Sequence, residues 1–213
     1  MSQSAPLRVG LFGGAFDPPH HAHRALAEAA LRQLGLDLLL VLPTGQAWHK
    51  SRPLTAAAHR VAMCELAFAG LPHLRIDQRE IRRSGPTYTA DTLTELAAEF
   101  PGARLFLLLG ADQLLAFRTW KRWQEVLQCA TLAVAGRAIE SAPSQGQPAE
   151  WLAQDISGID IPHISLDLPP QPHSATSVRA RVAGSGPLAD LDTLVSEGVA
   201  RYISEHHLYR HAT

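Results

Sequence analysis

The apolar positions of this chain fall into short unbroken runs separated by stretches with helical spacing. Residues 7–12, Leu-Arg-Val-Gly-Leu-Phe, have strand length and stop at Gly13-Gly14. Over 21–34, Leu26, Ala30 and Leu34 share one helical stripe, and Gly35 is placed to end that helix. A second apolar run, 38–42, stops at Pro43. Thr55 is placed to cap a helix with Ala58, Ala62, Leu66 and Ala69 on one face before Gly70. Residues 74–76 and 80–82 read as short strand pieces. A further helix opens at Thr89, turns Leu93, Leu96, Ala97 and Phe100 inward, and stops at Pro101. The run 105–109 is apolar at every position, as burial on both faces of a strand requires. Residues 120–127 read as a short helix, 131–135 and 161–166 as strands, and 174–183 and 191–206 as closing helices. The stretch 138–148, rich in Ser, Pro, Gln and Gly, reads as a loop.

Strands alternating with helices imply parallel pairing through right-handed crossovers. The expected fold is α/β: a doubly wound, Rossmann-like parallel sheet with helices on both faces, in a single domain over residues 1–213. Ligands of such sheets sit beyond the carboxyl ends of the strands, near the switch point. The residues just past each strand therefore matter most: the glycine- and histidine-rich stretch 13–23, the stretch 43–50, Gly110-Ala111-Asp112, Gly136-Arg137, and the helix start at Ser174.

Composition narrows the partners. Hydrophobic residues make up 46% and charged residues 18%, the profile of a globular chain. Lys and Arg number 19 against 20 Asp and Glu, a formal charge of −1, so no broad basic footprint for nucleic acid is expected. A small polyanion held by a few local groups stays open. The apolar runs are too short to span a membrane, no secretory signal is visible, and the 2 cysteines, Cys64 and Cys129, form no disulfide framework. A cytoplasmic monomer or small homo-oligomer is the expectation.

Gly13-Gly14 after a strand allows close backbone approach to a phosphate, and the helix behind it offers amide groups. The pair is neither a GxGxxG fingerprint nor a Walker loop. His20 and His23, three apart at that helix start, can point the same way. They fit a phosphate-binding pair, a metal pair, or ordinary capping histidines. Ser174-Ala-Thr-Ser-Val-Arg179 offers hydroxyls, amides and a guanidinium at one helix start, which suits an anion and equally an ordinary serine cap. The helix start at Thr87-Tyr88-Thr89 can receive a carboxylate. Trp120 and Trp123 can stack on a planar ring or fill core. Asp112, directly after the most apolar strand, can bind sugar hydroxyls or a metal.

Together, residues 13–23, 47–50, 87–93, 110–120 and 174–179 resemble, in order, the GGTFDPxHxGH, PPHK, YTxxTL, GxDxxxxxxxW and SxTxIR blocks of the bacterial nicotinate mononucleotide adenylyltransferases. The resemblance runs nearly end to end, including the stretch 202–210. It implies transfer of AMP from ATP to nicotinate mononucleotide, with release of pyrophosphate and formation of deamido-NAD. It also implies that His20, His23, Lys50 and Arg179 carry the chemistry. Gly13, Gly14, Ser174 and Thr176 would join His20, His23 and Arg179 around ATP. His49, Tyr88, Thr89, Asp112, Trp120 and Arg137 would receive the mononucleotide, and Mg²⁺ would accompany ATP with no protein metal site. Departures from the family pattern are Ala15 for threonine, Ala22 for glycine, Ala47 and Trp48 for two prolines, Ala138 for proline and Val178 for isoleucine. None removes a charged or imidazole group. The competing readings are an enzyme that prefers nicotinamide mononucleotide or another phosphate acceptor, a non-catalytic nucleotide sensor, and a histidine-rich metal-binding protein.

Overall fold

A computed structural model describes residues 5–45, 53–135, 156, 158–169, 173–184 and 188–210. Its strands are β1 (Arg8–Gly14), β2 (Leu38–Pro43), β3 (Leu74–Ile76), β4 (Arg104–Gly110), β5 (Thr131–Ala135) and β6 (His163–Leu166). They form one parallel sheet in the order β3-β2-β1-β4-β5-β6, which reverses direction between β1 and β4. The register is uneven at that reversal. β1 pairs with β2 through to Gly14↔Pro43, but with β4 only from Arg8↔Arg104 to Leu11↔Leu107. The carboxyl ends of β1 and β4 part beyond this point, leaving a crevice.

The helices are α1 (His21–Leu34), α2 (Ala57–Ala67), α3 (Arg79–Arg82), α4 (Thr89–Glu99), α5 (Ala111–Leu115), α6 (Trp123–Cys129), α7 (Ala175–Ala183) and α8 (Glu197–Glu205). Alternate strand residues serve opposite faces. Phe12, Val41, Leu108 and Leu166 pack beneath α1, α2, α7 and α8, while Leu11, Leu42, Leu109 and Val134 pack beneath α4, α5 and α6. Both sides of the sheet are thus covered, which is why its strands read as continuous apolar runs. α1 buries Leu26, Ala30 and Leu34 as their spacing predicts, and Gly35 ends it in the left-handed region at φ 55°.

Several elements differ from expectation. Residues 80–82 belong to a single helical turn closed by Arg82 and Arg83 amides on the Gln78 and Arg79 carbonyls, because Glu80 is drawn inward. The short helix starts at Trp123, not 120: Trp120 follows a 3-10 turn, Phe117–Thr119, and Arg122 at φ 59° redirects the chain. α5 has no counterpart in the apolar pattern. β6 starts at His163, after Pro162, which has no amide to donate to a neighbouring strand. The stretch 191–206 divides into a 3-10 turn, Leu188–Thr193, and α8, which Ser196 caps. α2 turns Arg60, Val61, Met63, Cys64 and Ala67 inward, while Ala58 and Leu66 are exposed. On α4, Leu93 and Leu96 are buried and Ala97 is exposed. The loop expected at 138–148 lies outside the described residues. Among the described residues no helix is long and apolar enough to cross a membrane.

Candidate functional site

β1 runs out at an exposed Gly13, where an added Cβ would meet nothing within 4 Å. The Gly14 carbonyl accepts the Thr44 amide at 2.8 Å and keeps the β1 and β2 ends together. Phe16 then takes φ 46°, a left-handed value costly for a bulky side chain, with its ring buried edge-on to Phe12, Phe68 and His23. Asp17, Pro18, Pro19 and His20 are buried. His20 stands at the α1 start with 8% exposure, and its amide donates to Nδ1 of His23 at 3.2 Å. The two rings lie 3.8 Å apart. Burial, then the neighbouring His23, His173 and His21, pushes the His20 pKa down to about 2, so its imidazole is neutral at neutral pH.

α7 brings the second half of this corner. Ser174 caps it, its Oγ accepting the Ser177 amide at 3.0 Å. Arg179, one turn in, donates to the Asp17 carbonyl at 2.8 Å and to Thr176 Oγ1 at 3.0 Å. His173 sits beside His21, with ring centroids 5.8 Å apart. The structure therefore gathers His20, His23, Ser174, Thr176 and Arg179 where two helix N-termini converge.

Two residues behind this corner carry roles that the sequence pattern does not reveal. Arg60 is 2% exposed and donates to three backbone carbonyls, Ala15 at 2.9 Å, Thr44 at 2.8 Å and Thr55 at 2.9 Å. It thereby pins the loops after β1 and β2 and the entry to α2. Burial pulls its pKa below the ordinary arginine value, and Asp17 opposes that pull. Asp17, 2% exposed, accepts the Thr55 amide at 3.2 Å and the Tyr209 hydroxyl at 2.6 Å. The signal for Arg60 is a charge one helical turn from Cys64 on an otherwise apolar stripe. The stripe drawn through Ala58 and Ala62 conceals it.

On the other face of the sheet, Glu80 is 6% exposed and accepts from Thr44 Oγ1 at 3.1 Å and Thr92 Oγ1 at 3.0 Å. Burial pushes its carboxyl pKa up, while the two hydroxyls and Arg83 pull it back. Gly45 lies so close that a Cβ there would fall 2.2 Å from the Glu80 carbonyl oxygen. Glu80 thus joins the end of β2 to the first turn of α4, where Tyr88 is extended and Thr89 opens the helix. Arg122 pairs with Asp91 and Glu125 and ties the α6 start to the same turn. Trp120 is half-buried, 5.4 Å from the Phe117 ring, and Trp123 is 6.2 Å from it. Asp112 is exposed in the first turn of α5, just past the β4 end, and accepts from Gln113 at 2.8 Å. His49, Lys50 and Arg137 lie outside the described residues.

Three buried side-chain atoms make no hydrogen bond with the described residues: His20 Nδ1, His173 Nδ1 and Thr87 Oγ1. All three border this rim of the sheet, where an unsatisfied polar atom is best explained by a ligand or solvent it receives. Among the described residues no cluster of three or more His, Cys, Asp or Glu side chains is placed to hold a metal. The donors around the histidine corner are imidazoles, hydroxyls and a guanidinium, a set unsuited to Mg²⁺, which prefers oxygen ligands in octahedral array.

Known proteins share this arrangement over nearly the whole chain. The model of the cytidylyltransferase-like family matches residues 11–181. A protein of Albidiferax ferrireducens named "Probable nicotinate-nucleotide adenylyltransferase" is 50% identical over 209 residues, covering 96% of this chain and 99% of its own. Bearers of the same name from Methylibium petroleiphilum and Bordetella pertussis are 42% and 43% identical, over 98% and 95% of this chain and 95% and 98% of their own. Among solved structures, Plasmodium falciparum nicotinic acid mononucleotide adenylyltransferase complexed with NaAD superposes with a TM-score of 0.73 at 16% identity, covering 95% of this chain and 97% of that one. That last likeness bears on the fold alone. The match across the strand-end loops and both converging helices shows that the chain belongs to the cytidylyltransferase-like family, in the branch of the nicotinate-nucleotide adenylyltransferases.

Proposed function

We propose that the chain transfers AMP from ATP to nicotinate mononucleotide, giving deamido-NAD (nicotinate adenine dinucleotide) and pyrophosphate, a step of NAD biosynthesis. The observation that carries the reading is the convergence of the α1 and α7 N-termini, with His20, His23, Thr176 and Arg179 around the Asp17 turn. The name shared by relatives 42–50% identical to this chain supports the same substrates.

A 5′-phosphate oxygen of the mononucleotide attacks the α-phosphorus of ATP in line. One P–O bond forms, the bond to the bridging oxygen breaks, and pyrophosphate leaves with no covalent enzyme intermediate. Such a transfer needs alignment and charge stabilisation more than a protein nucleophile. Gly13 and Gly14 admit the triphosphate to the backbone. His20, neutral, acts as a hydrogen-bonding group instead of a cation, with His23 beside it. Arg179 supplies the fixed positive charge, Ser174 and Thr176 the hydroxyls, and Lys50 a further positive charge. On the acceptor side the α4 amides at Tyr88 and Thr89 meet the nicotinate carboxylate, and Trp120 stacks on the pyridine ring. Asp112 takes sugar hydroxyls, Arg137 neutralises the mononucleotide, and His49 helps to bind it. Mg²⁺ would accompany ATP as its co-substrate cation and would supply charge neutralisation on the phosphates. One domain, 1–213, supplies both sets of groups and works in the cytoplasm as a monomer or small homo-oligomer.

The test is pyrophosphate release from ATP with nicotinate mononucleotide, with nicotinamide mononucleotide, and with neither. Release that depends on the nicotinate form is the expected result. Release without an acceptor, or a preference for the amide, overturns the assignment.

A further inference from the structure

The segment after α8 reaches back to the turn that precedes His20. Tyr209 donates its hydroxyl to Asp17 Oδ1 at 2.6 Å, across 192 residues. Its backbone sits at φ 62°, and His207 at 52°, left-handed values that non-glycine residues hold only where their surroundings fix them. Leu208 and Tyr209 also pack on the core beneath α1 and α2. The Asp17 carboxylate that receives the hydroxyl is buried and takes the Thr55 amide on its other oxygen, while the backbone carbonyl of Asp17 accepts from Arg179. Asp17 thus links the Tyr209 hydroxyl, the α2 entry and the α7 arginine, and it lies three positions before His20. Phe16, just ahead of it, holds a strained φ of 46°, so the turn depends on such outside bonds to keep its shape.

We propose that Tyr209 is a positioning residue for adenylyl transfer, acting through Asp17 to set His20 and His23 against Arg179. It touches no substrate. Its hydroxyl fixes the rotation of the Asp17 carboxylate, and the carboxylate fixes the turn. This rests on the adenylyl-transfer reading of the site.

The experiment compares Tyr209→Phe, Asp17→Asn and the double variant, with Tyr202→Phe as control. Tyr202 belongs to α8, and its hydroxyl bonds His59 at 3.0 Å. Removing a hydrogen bond to a buried charge predicts that Tyr209→Phe lowers kcat/KM for ATP about tenfold, measured well below the melting temperature. The KM for nicotinate mononucleotide stays unchanged, and the double variant is no worse than Asp17→Asn. Tyr202→Phe behaves as wild type. The proposal is overturned if Tyr209→Phe lowers the melting temperature but leaves the kinetic constants alone, if its effect adds fully to that of Asp17→Asn, or if Tyr202→Phe loses as much. Should the wild-type chain release no pyrophosphate, the reaction assigned to the site falls. Calorimetric affinities of the same variants for ATP then decide the positioning claim separately, by the same cycle.

Discussion

Arg179 and Asp17 are 162 residues apart, and Nη1 of the arginine donates to the aspartate carbonyl at 2.8 Å. The bond joins α7 to the turn before α1, so one guanidinium both aligns the corner and charges it. Arg179→Gln is expected to lower pyrophosphate release about a hundredfold or more, as when a group that stabilises developing charge is removed. Arg179→Lys keeps the charge but cannot reproduce the fork to Asp17 and Thr176, and is expected to recover only part of the loss. Steady-state rates on both variants decide it, and wild-type rates in either would refute the role.

His20 gives the fold an acid sensitivity. Its pKa is about 2 in the folded chain against 6.5 unfolded, so below pH 6.5 the unfolded state takes up a proton that the folded state refuses. Stability therefore falls with pH from about 6.5 downward, by about 1.4 kcal/mol per pH unit from this residue alone. Urea unfolding of the wild type and of His20→Asn between pH 7 and 5 reads the difference. Parallel pH profiles for the two would refute it.

Two glycines at the strand ends should respond oppositely. Gly45→Ala forces a Cβ to 2.2 Å from the Glu80 carbonyl and is expected to cost about 1–3 kcal/mol in folding. Gly13→Ala meets nothing within 4 Å and should change stability by less than about 0.5 kcal/mol. On the proposed reading its methyl group would stand where the triphosphate approaches, so ATP affinity is expected to fall instead. Chemical denaturation and calorimetric titration together separate the two effects.

Arg60→Met removes the donor from three loop carbonyls and leaves Asp17 without its buried counter-charge. A loss of at least about 3 kcal/mol is expected, because each buried carbonyl left without its donor costs about 1–3 kcal/mol. A variant as stable as wild type in urea would show that Arg60 does not hold the loops.

The central strands β2 and β4 were legible because burial on both faces leaves little alternative to Val, Leu and Phe at successive positions. The helix starts at His21, Thr89 and Ala175 were legible from the cap and turn residues just before them. What escaped was set by contacts distant in sequence. Nothing local shows that Glu80 will be pulled inward by Thr44 and Thr92, turning an apparent strand piece into a helical turn. Nothing local assigns Tyr209 to Asp17. In the site, His20, His23, Ser174, Thr176 and Arg179 were readable as motifs, whereas Arg60 and Asp17 act on backbone groups that a residue pattern does not reveal.

The parted ends of β1 and β4 have a geometric consequence. The groups assigned to the triphosphate ride on α1 and α7, on one side of the sheet, and those assigned to the pyridine ride on α4 and beside α6, on the other. Two substrates drawn from opposite sides can touch only over the rim, where β1 and β4 no longer pair. On the proposed assignment the dinucleotide would straddle the sheet like a rider, one nucleotide hanging down each flank, and would leave by lifting both at once or by letting go of one flank first.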